Sequence, residues 1–135
     1  MKKLQCVLLV DDDDSTNFLH KKILKNADIA ENVVIALNGK EAIDYLSGKN
    51  KEPGTPCLQP ELILLDINMP LMDGWEFLNA YKNLNNQIDK VIIVMLTTSL
   101  NPDDKVRATA IPEISGFQTK PLSIDMINGI VEKHF

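Results

Sequence analysis

Short apolar runs alternate along this chain with stretches whose apolar residues recur at helical spacing, and few folds accept that pattern. Runs rich in Val, Ile and Leu occupy Leu4–Val10, Val33–Leu37, Leu62–Leu65, Val91–Leu96 and, more weakly, Gly116–Thr119. Their length and bulk fit strands buried on both faces. Between them, Leu19/Ile23/Ala27, Ala42/Ile43/Leu46, Phe77/Leu78/Tyr81/Leu84 and Ile124/Ile127/Val131 have the spacing of helix faces, with a weaker helix near Asp103–Ala110. Strands of this kind alternating with helices predict an α/β protein, a doubly wound parallel sheet covered on both sides. Residues 47–60 form the long irregular stretch and are expected to be a surface loop insertion before the third strand.

One domain, 1–135, accounts for the whole sequence, and its 44% hydrophobic content is enough for one core. The excess of 19 acidic over 14 basic residues, concentrated in Asp11–Asp14, argues against a nucleic-acid footprint. Cys6 and Cys57 form no CxxC pair and suit a reducing cytoplasm. Lys2 and Lys3 precede an apolar segment as in a signal peptide, but that segment ends in aspartates at Asp11. The expectation is a cytoplasmic protein without a membrane segment.

A parallel sheet brings every strand's carboxyl end to one edge, where ligands bind. Here the first strand ends in Asp11 and Asp12, the third in Asp66, the fourth in Thr97, and the fifth runs into Lys120-Pro121. Three carboxylates sharing a crevice repel, and a divalent cation with oxygen ligands, Mg²⁺ by preference, relieves that repulsion. A carboxylate beside a cation, a lysine and a hydroxyl is equipped to attack a phosphoryl group, because that transfer mainly needs positioning and charge neutralisation. Asp66 stands alone at its strand end and is the best nucleophile.

Each residue has a plainer reading. Asp11–Asp14 could be a solvated turn capping the first helix, Asp66 a turn residue, Lys120 a surface lysine, and Thr97 and Phe117 the ends of strands. The joint pattern favours chemistry, since four separate strand ends carry groups suited to phosphoryl transfer.

With LLVDDDD at 8–14, ALNGKEAIDYL at 36–46, ELILLDINMPLMDGWEFL at 61–78, VIIVMLTTS at 91–99 and FQTKP at 117–121, the sequence resembles a CheY-like response-regulator receiver domain over essentially its whole length. That resemblance implies a five-stranded sheet in the order 2-1-3-4-5 flanked by five helices, the flavodoxin-like arrangement. It also implies that Asp66 accepts a phosphoryl group from a histidine kinase or phosphotransfer protein. Asp12 would ligate Mg²⁺ directly, Asp11 through water, and the Asn68 backbone carbonyl would complete the protein ligands. Lys120 and Thr97 would contact the phosphoryl oxygens, the Lys120–Pro121 peptide would be cis, and Phe117 would move inward. Phe117 stands where tyrosine is frequent, and Thr98 where alanine is frequent. One helix follows Lys120-Pro121, so the output is expected on a separate protein, through the face made by the fourth helix, fifth strand and fifth helix. Such a protein is a switch rather than a turnover enzyme.

Two rivals come from other classes. Asp12-Asp13-Asp14-Ser15-Thr16 satisfies the DxDxT pattern of haloacid-dehalogenase-type phosphatases, but only Asp125 and Glu132 follow Lys120 to supply the further acidic motif those enzymes need. A receiver that binds partners without phosphorylation is the second. An EF-hand fails, since counting from Asp11 puts Thr16 at the glycine position and Lys22 at the glutamate position.

Overall fold

Leu4–Val10 forms the central part of the sheet because nearly every side chain along it is apolar and finds cover on one face or the other. In the computed structural model, which describes residues 3–48, 59–84, 91–98 and 100–135, the elements run β1 (Leu4–Val10), α1 (Asp14–Ala27), β2 (Ala30–Ala36), α2 (Gly39–Ser47), β3 (Leu62–Leu65), α3 (Gly74–Lys82), β4 (Ile92–Thr97), α4 (Pro102–Thr109), β5 (Ile114–Thr119) and α5 (Ile124–His134). The five strands are parallel in the order β2-β1-β3-β4-β5, the doubly wound arrangement expected from the sequence.

The two-residue period of each strand divides the core. Val7 and Leu9, Leu62 and Leu64, and Ile92, Val94 and Leu96 face α1 and α5, meeting Leu24, Ile127, Ile130 and Val131. Leu8 and Val10, Ile63 and Leu65, and Ile93 and Met95 face the other way, onto Ala42 and Leu46 of α2, Phe77 and Leu78 of α3, and Ala108 of α4. Each fully buried aliphatic side chain contributes roughly 1.5–3 kcal/mol by leaving water.

Helix starts are fixed by side-chain caps. Asp13, Asn38, Asp73, Asn101 and Ser123 each occupy an N-cap and accept from a backbone N–H of the first turn. Asp73 and Glu76 form a reciprocal capping box. α2 ends at Gly48 with φ 77°, a left-handed position that glycine takes without steric cost.

Several boundaries move from those read in the sequence. β2 begins at Ala30 rather than Val33, and β5 at Ile114 rather than Gly116, since ladder pairing with β1 and β4 carries polar residues into the strands. The weak fourth helix is real and spans Pro102–Thr109, held at its start by Asn101 and Pro102 instead of by an apolar stripe. Of the expected Leu19/Ile23/Ala27 face of α1, Ile23 and Ala27 pack against the core, but Leu19 is 44% exposed, and the fully buried residues of the helix are Asn17, His20 and Leu24. Most of the 47–60 loop lies outside the described residues.

Candidate functional site: the carboxyl edge of the sheet

Backbone hydrogen bonds continue past the strands and fix the residues just beyond them. The Asp11 N–H donates to the Ala36 carbonyl at 3.0 Å, and the Asp66 N–H to the Val10 carbonyl at 2.9 Å. The Lys120 N–H donates to the Thr97 carbonyl at 2.8 Å. Residues distant in sequence are thereby placed side by side on rigid strand ends.

Carboxylate oxygens of Asp11, Asp12 and Asp66 lie within 4.8 Å of one another. At an effective dielectric of about 20, two such charges at that separation repel by roughly 3–4 kcal/mol. Lys120 answers part of this: its Nζ pairs closely with Asp11 Oδ2 and lies 3.4 Å from Asp66 Oδ1, and its side chain is only 11% exposed. One ammonium against three carboxylates leaves net negative charge in a largely buried place. Burial raises the Asp66 pKa above the ordinary carboxylate value, Lys120 opposes that rise, and Asp11 adds to it. Hard oxygen donors so close together match the chemistry of a small divalent cation, bound directly or through water.

The four aspartates divide their work. Asp11 is buried, and its Oδ1 accepts from the Asp13 N–H at 3.0 Å. Asp12 is exposed but belongs to the cluster. Asp13 caps α1, accepting from the Thr16 N–H at 3.0 Å and from its hydroxyl, and these bonds hold its carboxyl below the usual range. Asp14 is already in the helix and exposed. Within this run the cap is Asp13, while Asp11 and Asp12 belong to the carboxylate cluster.

The remaining residues singled out in the sequence take these positions. Thr97 is 1% exposed at the end of β4, and Thr98 is exposed. Phe117 is half-buried on β5, packed against the core on the α2–α4 side. Asn68 is exposed in the loop after β3. The Lys120–Pro121 peptide is cis.

That loop folds back tightly. The Gly74 N–H donates to the Ile67 carbonyl at 2.7 Å, and a Cβ on Gly74 would stand 2.4 Å from the Asp66 carbonyl oxygen. Only a residue without a side chain lets α3 start this close to Asp66.

Two inward residues were not read from the sequence. Asn17 Nδ2 donates to the Asp11 carbonyl at 2.8 Å, and His20 Nε2 accepts from the Leu122 N–H at 3.3 Å. With Asp11, Asp66 and neighbouring strand residues they line a cavity of about 10 Å³, the scale of one water. Their i, i+3 spacing on α1 was the available signal.

The model of the response regulator receiver domain matches residues 7–132. The chain belongs to that family. Among related proteins, the response regulator Rcp1 of Synechocystis is 35% identical over 100 residues, which is 74% of this chain and 66% of that protein. The Mn²⁺-bound form of Rcp1 superposes with a TM-score of 0.75 at 31% identity, covering 93% of this chain and 91% of that one. A two-component response regulator from Cytophaga hutchinsonii superposes with a TM-score of 0.83 at 32% identity, over 98% and 97% of the two chains. The phosphorylated cyanobacterial phytochrome response regulator RcpA gives 0.74 at 29% identity, over 96% and 89%. Receiver domains work in two-component signalling, with phosphorylation and Mg²⁺ as features of the family, and this receiver's acidic edge fits a divalent metal site. Membership also removes the haloacid-dehalogenase reading. No described helix is long and apolar enough to cross a membrane.

Proposed function

We propose that this receiver is a Mg²⁺-dependent aspartyl-phosphate switch with Asp66 as the acceptor. The observation that carries the reading is Lys120 bridging Asp11 and Asp66 inside a cluster of three carboxylates. An Asp66 carboxylate oxygen forms a bond to phosphorus as the P–N bond of a phosphohistidine breaks, and the departing imidazole takes a proton. Lys120 supplies a cation for the phosphoryl oxygens, Thr97 a hydroxyl donor, and Asp11, Asp12 and the Asn68 carbonyl the ligands for Mg²⁺. Bound there, Mg²⁺ would neutralise the charge gathered on the transferring group.

In this reading residues 1–135 act as one domain, in the cytoplasm with a sensor histidine kinase or phosphotransfer protein, and signal to a separate protein. Thr97 is buried and Phe117 only half-buried, so a hydroxyl drawn toward the phosphoryl group frees space into which Phe117 turns. The face of α4, β5 and α5 then changes.

Incubation with acetyl phosphate and Mg²⁺ followed by intact-mass measurement tests the core of the proposal. Wild type should gain one phosphoryl group, and Asp66→Asn none. Labelling of Asp66→Asn, or a label mapped to Asp12 or Asp14, would overturn the assignment. Wild type that captures its partner equally well unlabelled would instead support a phosphorylation-independent binding module. Thr97→Ala and Phe117→Ala should still be labelled while losing the phosphorylation-dependent gain in partner capture.

A further inference from the structure

Lys120 reaches Asp11 and Asp66 from a turn between β5 and α5, and turns of this kind stay in place only if something holds them. Two residues beyond Lys120, Leu122 is 2% exposed and donates its N–H to His20 Nε2. His20 is itself 2% exposed and sits on α1, more than a hundred residues away in sequence. One turn earlier on the same inner face of α1, Asn17, 3% exposed, donates to the Asp11 carbonyl. A single helix thus grips both arms of the acidic edge.

We propose that His20 is a positioning residue for Lys120: α1, tied to the Asp11 arm by Asn17, also holds the segment after Lys120 through His20, and so sets the spacing of ammonium and carboxylates. The inference rests on the phosphotransfer reading above. The bond requires a lone pair on Nε2, which puts the ring hydrogen of neutral His20 on Nδ1. Burial, and then the charge of Lys120, lower the His20 pKa and so favour the neutral ring, against a smaller opposing effect of Asp11. Removing the acceptor leaves a buried N–H without a partner, and the turn would shift to find one. A residue that merely filled space would tolerate leucine; one that positions Lys120 would not.

The test compares acetyl phosphate labelling rates of wild type, His20→Leu and His20→Gln, each alone and with Lys120→Ala. Glutamine retains an acceptor near the Nε2 position. We expect His20→Leu to slow labelling by about tenfold, the scale of losses when a supporting residue behind a ligand is removed, and His20→Gln to restore most of the rate. With Lys120→Ala present, His20→Leu should add less than about twofold, because there is no ammonium left to misplace. Equal slowing in both backgrounds, or no slowing by leucine, would overturn the proposal. Ring ¹⁵N resonances of wild-type His20 give a readout that needs neither a folded variant nor phosphorylation. An unprotonated Nε2 and protonated Nδ1 support the arrangement, and the reverse tautomer refutes it. If wild type takes no label, the phosphotransfer reading has failed on its own; the clamp then stands or falls on whether the Lys120 ammonium resonance shifts in His20→Leu and returns in His20→Gln.

Discussion

α1 and α4 each start from the carboxyl end of a strand, cover opposite faces of the sheet and are attached to it in different ways. α1 buries Leu24 completely beside α5 and sends Asn17 and His20 inward to backbone groups of the reactive edge. Of α4's residues Ala108 is the buried one, while Val106 is 69% exposed and Leu100, just before the helix, 88%. What joins α4 to its neighbour α3 includes the Arg107 guanidinium, 4.2 Å from the centroid of the Trp75 ring. A cation over an aromatic face at an accessible site is worth about 0.5–1 kcal/mol, against several for a packed aliphatic. In the proposed switch, chemistry that needs fixed distances would then sit where the helix is anchored, and rearrangement would be cheapest where it is not.

Truncating a side chain on each helix puts this contrast under the most strain. Leu24→Ala should cost about 2–5 kcal/mol in urea unfolding, because a fully buried leucine leaves a cavity, whereas Val106→Ala should stay within about 0.5 kcal/mol. Similar losses would mean that α4 is packed as firmly as α1. Next in size, Gly74→Ala should cost about 1–3 kcal/mol, since the new methyl meets the Asp66 carbonyl and the Ile67 backbone, neither of which can yield cheaply. Its labelling rate should fall too, and normal stability with normal labelling would show the loop after β3 to be more compliant than its hydrogen bonds suggest.

Smaller still, Arg107→Ala should lose about 0.5–1 kcal/mol and alter the emission of Trp75, the chain's single tryptophan. Unchanged emission would mean that the stack plays no part in holding α4. The smallest expected effect is on pH. His20 has a lowered pKa, caused first by burial and then by Lys120, with Asp11 opposing. The unfolded chain thus binds the proton more readily, so this contribution to stability is complete above the ordinary histidine value of about 6.5 and is lost as pH falls through the folded value. Thermal unfolding of wild type should accordingly weaken more from pH 7 to pH 5 than that of His20→Gln. The raised pKa of Asp66 works in the opposite direction and is common to both proteins, so it cancels in the difference.

The strands and the residues at their ends were legible without any structure. Apolar runs with the period of a strand, each followed at once by Asp11, Asp66, Thr97 or Lys120, are local patterns, and a parallel sheet brings such positions to one edge whatever the details of packing. Which of the four consecutive aspartates turn inward was a tertiary decision. Asp13 caps α1 because the helix starts one residue later, and Asp11 turns into the crevice because β1 is hydrogen-bonded on both sides. The rotation of α1 about its own axis was likewise set by its neighbours. Leu19 was read as core and is exposed, while Asn17 and His20, to which the sequence reading gave no role, are buried. Polar side chains that face inward usually find a partner: Asn17 finds one for its Nδ2 though not for its Oδ1, and the partner of His20 is a backbone N–H that becomes adjacent only when β5 completes the sheet and Leu122 packs into the core.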